Sequence, residues 1–201
     1  MQNIDEGYIK FGCHHKKVEK LPVTVPEELK KTRDRMHQLG LIGHYDELNV
    51  GYGNISIKIP EGILISATQT GKTEHINDND FALVTNYDID KNMVWCLGKK
   101  RASSETMTHA ALYEADETIQ AIIHIHNKKL WQKYLHKLPT TNPAVPYGTP
   151  EMAYEMKRLY QESSDVKQYN TIIMGGHEEG IISFGQSLKE AQESINKIYN
   201  A

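Results

Sequence analysis

Cysteine is scarce in this chain of 201 residues: Cys13 and Cys96 are the only two, too few for a disulfide framework and suited to a reducing compartment. No apolar run approaches the ~20 residues that a membrane helix needs, and Met1-Gln2-Asn3-Ile4-Asp5-Glu6 lacks the basic and apolar regions of a secretory signal. The expectation is a cytoplasmic protein with no membrane partner. Basic charge is not concentrated either, since Lys99-Lys100-Arg101 is the one cluster in a chain of net charge −3. The electrostatic footprint of a nucleic-acid binder is therefore missing. Repeats, low-complexity tracts and linkers are also lacking, so the chain reads as one unit with an N-terminal extension over 1–25 and a single domain over 26–201. Ile, Leu, Val and Phe make up about 22% of it, just above the roughly 20% below which disorder becomes the better expectation. What is abundant is histidine, with ten copies.

The apolar pattern alternates between the two regular periods. Pro26-Glu27-Glu28 opens a segment with Leu29, Met36 and Leu39 at helical spacing, stopped at Gly40. Ile55, Ile57 and Ile59 alternate with Ser56 and Lys58, and Ile63-Leu64-Ile65 follows Pro60-Glu61-Gly62, which predicts two strands joined by a tight turn. Phe81–Thr85 and Met93–Leu97 form a further expected hairpin. Ser103-Ser104-Glu105 precedes an apolar helical face of Met107, Ala110, Ala111 and Tyr113. Ala121–His126 reads as a buried strand, followed by a short amphipathic stretch through Leu130, Trp131, Tyr134 and Leu135. Leu138–Pro150 is uncharged and proline-rich, a loop over the surface or a subunit contact. Thr149-Pro150-Glu151 starts a helix to about Glu162. Thr171–Met174 and Gly180–Ser183 are short strands, and Leu188–Tyr199 is a closing helix. The fold class expected is α/β, with three layers around a mainly antiparallel sheet.

His124 and His126 stand two apart in a strand, so both imidazoles leave one face and can converge on a cation, or pair in the core by hydrogen bonds. His177 follows Gly175-Gly176, which allow the backbone to turn a side chain back over a sheet edge. Three imidazoles with an open position make the arrangement of a catalytic zinc site. Glu105, at a helix start, is either a first-turn acid answering the helix dipole or a carboxylate beside the metal that serves as ligand and general base. Gly51-Tyr52-Gly53-Asn54, Thr70-Gly71-Lys72 and Ser103-Ser104 are either ordinary turns and caps or cradles for phosphate or carboxylate. Ser66–Thr73 nearly spells a nucleotide-binding loop but lacks the leading glycine and a following helix. His109, one turn after Glu105, is expected to orient it or cap a neighbour. His14, His15, His37, His44, His75 and His136 are expected at the surface. Glu178 and Glu179 either tune a metal or face solvent.

Taken in order, Gly53-Asn54-Ile55-Ser56, Thr70-Gly71, Ser103-Ser104-Glu105 with His109 and Tyr113, His124-Ile125-His126, Gly148-Thr149-Pro150-Glu151 and His177 resemble the landmarks of the class II aldolase/adducin head family. The resemblance spans roughly residues 25 to 195. It implies an α/β/α domain around a mostly antiparallel sheet, with zinc held by His124, His126 and His177 and with Co2+, Mn2+ or Fe2+ as alternatives. It implies Glu105 as the acid/base, and Asn54, Thr70, Gly71, Ser103 and Ser104 lining a phosphate or acid pocket. Tyr147 is the nearest candidate for the tyrosine that related aldolases take from a neighbouring subunit. The implied partner is a small-molecule substrate, in a homotetramer with the site between neighbours. The function implied is a metal-dependent aldolase-type lyase working on a sugar phosphate or sugar acid through an enediolate. The alternatives are a dehydratase or epimerase of the same family, or a non-catalytic adducin-like assembly module.

Overall fold

The computed structural model describes residues 7–200. Of the extension expected over 1–25, residues 1–6 lie outside the described residues. Ten strands and six helices follow in chain order: β1 (Gly12–Lys17), α1 (Glu27–Gln38), β2 (Gly43–Tyr45), β3 (Val50–Tyr52), β4 (Asn54–Ile59), β5 (Gly62–Ser66), β6 (Phe81–Asp88), β7 (Met93–Gly98), α2 (Thr106–Ala115), β8 (Ala121–His126), α3 (Lys128–Tyr134), α4 (Pro150–Glu162), α5 (Ser164–Tyr169), β9 (Thr171–Ile173), β10 (Gly180–Gly185) and α6 (Leu188–Tyr199). Eight strands form one sheet in the order β1-β7-β6-β5-β4-β8-β10-β9, and β2 pairs with β3 in a separate ribbon. Every pairing in the large sheet is antiparallel except that of β1 with β7.

Side chains leave a strand alternately, and the central strands are apolar on both faces, so helices must cover both. Ile63 and Ile65 of β5 and Ile122 of β8 pack beneath α2 and α4, together with Met107, Ala110, Ala111, Met152 and Met156. Leu64, Ile123 and Ile125 point the other way, against Leu29 and Met36 of α1 and Ala191 and Ile195 of α6. The expected three-layer architecture is present. The tight β4–β5 turn depends on Gly62, which has φ +138°; a Cβ there would overlap the Val84 carbonyl oxygen.

Four elements, β1, β2, β3 and α5, were not assigned from the sequence. β1 has no apolar alternation and becomes a strand by pairing with β7, in register Gly12 to Met93 through Lys17 to Gly98. The β2–β3 ribbon closes through a turn in which Asn49 is left-handed, φ 53°, a conformation asparagine tolerates. α5 is one short helix after Ser163. The segment Leu138–Pro150 is the expected loop, with Thr140 bridging to Ile173 of β9.

Candidate metal and anion site

β8 lies between β4 and β10, and the pairing of Gly180 with His126 and Ile182 with His124 places both imidazoles at one end of the sheet. Gly180 makes room for them, since a Cβ there would approach His124 Cε1 to 3.1 Å. His177 arrives from the β9–β10 connection, where its N–H donates to the Met174 carbonyl and its carbonyl accepts from Gly180 N–H at 2.9 Å. Gly176 allows that turn to lie on the proline-rich loop; a Cβ there would overlap the Val145 carbonyl. All three imidazoles are buried, and one nitrogen from each lies within 4.8 Å of the others.

The outer nitrogens of two rings have defined acceptors, which sets the tautomers of those rings from the hydrogen-bond network. His124 Nδ1 donates to the Ile181 carbonyl at 3.2 Å. The Tyr45 hydroxyl donates to Glu179 Oε2 at 2.6 Å, so its oxygen accepts from His126 Nδ1 at 3.3 Å. Both Nε2 atoms then present lone pairs, 3.1 Å apart. Two lone pairs at that distance repel each other unless a cation lies between them, so the donor set fits a metal. Burial, then the neighbouring His126 and His177, hold His124 well below the usual imidazole range, in the neutral form that ligates. Imidazoles oriented through their far nitrogen by a carbonyl or carboxylate are the usual outer support of a metal site.

Glu105 immediately precedes α2 and is buried. Its Oε1 is 3.7 Å from His177 Nδ1. The same residue lines a small cleft with Asn54, Thr70, Gly71, Ser103 and Ser104, together with Gly7, Gly51 and Gln69. All of the residues expected at the anion pocket therefore meet in one place. Ser103 Oγ accepts from Glu105 N–H at 3.3 Å, leaving its own proton for a ligand. Thr70 Oγ1 donates to the Ala67 carbonyl, so what this residue offers a ligand is not its hydroxyl proton. Asn54 Oδ1 is buried and has no hydrogen-bond partner among the described residues.

A residue that sequence reasoning passed over holds this cleft in shape. Arg33 is fully buried and its guanidinium donates to the carbonyls of Thr70 (2.6 Å), Glu74 (3.1 Å) and Thr73. Burial lowers its pKa, opposed by Asp34 beside it. Asp34 in turn accepts from Ile76 N–H at 3.2 Å, and His37 Nε2 lies 3.1 Å from the Gly71 carbonyl. The near-match to a nucleotide loop at Ser66–Thr73 is thus a strand exit clamped from α1, followed before β6 by only a short 3-10 turn, Asp78–Asp80. Gly71 permits the packing, since a Cβ there would overlap the Gly43 carbonyl.

Other histidine readings need correction. The His109 ring is held by the sheet, where Ser56 Oγ lies 2.8 Å from both His109 Nδ1 and Tyr113 Oη. His14, His75 and His136 are exposed as expected, while His15, His37 and His44 are half-buried. Glu178 pairs with Lys128 at 3.0 Å on the surface. Tyr147 stacks on His177 of its own chain, centroids 4.3 Å apart. Lys10 Nζ lies 4.0 Å from the centroid of the Tyr147 ring and donates to the Tyr147 carbonyl. The signal that marks Arg33 is its place in the buried stripe Leu29, Thr32, Arg33, Met36; no such signal marks Tyr45.

Comparison with known proteins places this arrangement in context. A 3-oxo-tetronate 4-phosphate decarboxylase of Escherichia coli is 27% identical, over 73% of this chain and 72% of that protein. An L-fuculose phosphate aldolase of Methanocaldococcus jannaschii is 29% identical, over 69% of this chain and 75% of that one. A sugar-phosphate aldolase from Thermotoga maritima has the same fold, with a TM-score of 0.66 at 17% identity, covering 86% of this chain and 89% of that one. The sequence model described as Class II Aldolase and Adducin N-terminal domain matches residues 36–200, and the chain belongs to that family.

Proposed function

We propose that the chain is a metal-dependent lyase of the class II aldolase type, acting through an enediolate on a small hydroxy-carbonyl compound with an anionic group, a sugar phosphate or a sugar acid. The observation that carries this reading is the position of Glu105, which lines the anion cleft and also lies 3.7 Å from His177. A substrate anchored by its anion in the cleft has its carbon skeleton between that carboxylate and the imidazoles. His124, His126 and His177 would hold the metal, zinc by donor chemistry, with cobalt, manganese or iron also suited to imidazole. Bound there, the cation supplies Lewis-acid stabilisation of the charge that builds on substrate oxygen.

The chain's own residues do the rest. Backbone amides around Gly71 and the hydroxyls of Ser103 and Ser104 bind the anion, and the Asn54 amide faces the same space. Glu105, desolvated at the start of α2, takes or returns the proton that C–C cleavage requires. Tyr147 stacks on His177. Proton movement next to a carbonyl also serves dehydration and epimerisation, and loss of carbon dioxide from a 3-oxo acid leaves the same kind of enolate, so the named relatives fit one chemistry. An adducin-like assembly module has no need of three converging imidazoles and a buried carboxylate, which favours the enzyme. We further place it in the cytoplasm as a homotetramer with the site between neighbours.

Elemental analysis of purified protein and a screen of sugar phosphates and sugar acids test the proposal. One transition metal per chain is expected, lost in His124→Ala and His177→Ala. Sub-stoichiometric metal in the wild type, with no recovery on adding zinc, contradicts it. Light scattering should give four times the 22.9 kDa chain mass; a monomer alone counts against a shared site.

A further inference from the structure

We propose that Cys13 and Cys96 form a reversible dithiol–disulfide site, oxidised by low-molecular-weight disulfides, which fastens the N-terminal strand to the edge of the sheet. Cys13 is on β1 and Cys96 on β7, and the register pairs Cys13 with Val94 and His15 with Cys96. The two cysteines are thus two positions apart on adjacent strands and share a face, packed against the core cluster beneath α2 and α4. Their sulfurs are 3.7 Å apart. A disulfide bond is about 2.05 Å long, so closure requires roughly 1.7 Å of approach. β1 is the outermost strand, paired along one edge only, and can supply it.

The surroundings suit thiol chemistry. Cys13 is half-buried and Cys96 is 1% exposed. The S–H of Cys13 donated to Cys96 lowers the Cys96 thiol, with the Ala102 amide and the charges of His15 and Arg101 adding to it against burial. The Cys96 hydrogen bond and burial raise the Cys13 thiol, so this half-buried sulfur attacks one sulfur of an external disulfide as it loses its proton, and the expelled thiolate leaves with that proton. Cys96, deprotonated in turn, attacks the Cys13 sulfur of the mixed disulfide and expels the second. Two protein thiols become one disulfide, and the two protons and two electrons leave with two molecules of reagent thiol.

Fastening β1 also fixes the segment that leads into the candidate site. Lys10 lies three residues before Cys13, and Tyr8 N–H donates to the Tyr147 hydroxyl at 3.3 Å. Tyr147 is the residue stacked on His177.

The metal-loaded full chain, equilibrated with mixtures of oxidised and reduced glutathione and quenched with an alkylating agent, gives the test by intact mass. The wild type should lose two hydrogens and both alkylatable thiols, and recover them with dithiothreitol. Cys96→Ser should accumulate a glutathione adduct on Cys13. It should need at least about tenfold more oxidised glutathione than wild-type closure, because a resolving thiol in the same molecule acts at high effective concentration. A wild type that stops at a mixed disulfide, stays reduced across the range or crosslinks between chains overturns the proposal.

Discussion

The hydroxyl of Tyr45 donates to Glu179 at 2.6 Å, joining the β2–β3 ribbon to the turn that follows His177. The pair reaches one of the imidazoles, because the same oxygen is 3.3 Å from His126 Nδ1. Tyr45→Phe removes the acceptor for that nitrogen and frees the ring to rotate. Loss of such an outer partner typically weakens metal binding by about 10- to 100-fold, and Glu179→Gln should have a smaller effect in the same direction. Competition with a chelator, read by metal release, measures it; unchanged affinity in Tyr45→Phe would assign the hydroxyl a purely structural role.

Burial holds His109 down at about 3, far below the ordinary 6.5. The folded state therefore keeps this ring neutral at pH values where the unfolded chain protonates it. Its contribution is fully present above about pH 6.5 and falls as pH drops from there toward 3, with a limiting slope of about 1.4 kcal/mol per pH unit. Urea unfolding at pH 7, 6 and 5 should show the wild type losing stability faster than His109→Gln. Parallel pH dependence in the two proteins would contradict the assignment.

Arg33 offers a sharper effect on stability. Replacing it by leucine removes the guanidinium donor from the carbonyls of Thr70, Thr73 and Glu74, leaving Thr70 only the Thr73 N–H, and a hydrogen bond to a charged group is worth about 1.5–3 kcal/mol. The 70–76 segment should loosen, with a destabilisation of at least about 2 kcal/mol and faster amide exchange there. Arg33→Lys should recover part of it, since one ammonium can serve one or two of the three oxygens. A leucine variant as stable as wild type would show that the clamp is dispensable.

The layers of the fold were legible because their strands and helices keep a regular apolar period: Ile55, Ile57 and Ile59, or Leu29, Met36 and Leu39, face one way by local geometry alone. His124 and His126 were legible for the same reason, since residues two apart on a strand share a face. The sequence of β1, Gly12-Cys13-His14-His15-Lys16-Lys17, carries no such period, and its structure is imposed by a partner more than 80 positions away. Arg33 stood in plain view on the buried stripe of α1, but a charge there is read as exposed until its three carbonyls are found. The expectation that His109 would orient Glu105 or cap a neighbour rested on one-turn spacing, whereas its Nδ1 lies 2.8 Å from the Ser56 hydroxyl on β4.

The role of Glu105 bears most directly on the proposed chemistry. Glu105→Gln keeps the size of the side chain and its place at the start of α2, yet cannot accept a proton. At metal content matched to wild type, turnover of the substrate found by screening should fall by at least about 10²-fold, within the range of general base catalysis, with fold and metal affinity retained. Turnover close to wild type in Glu105→Gln would contradict the assignment and pass the role of base to another group at the site.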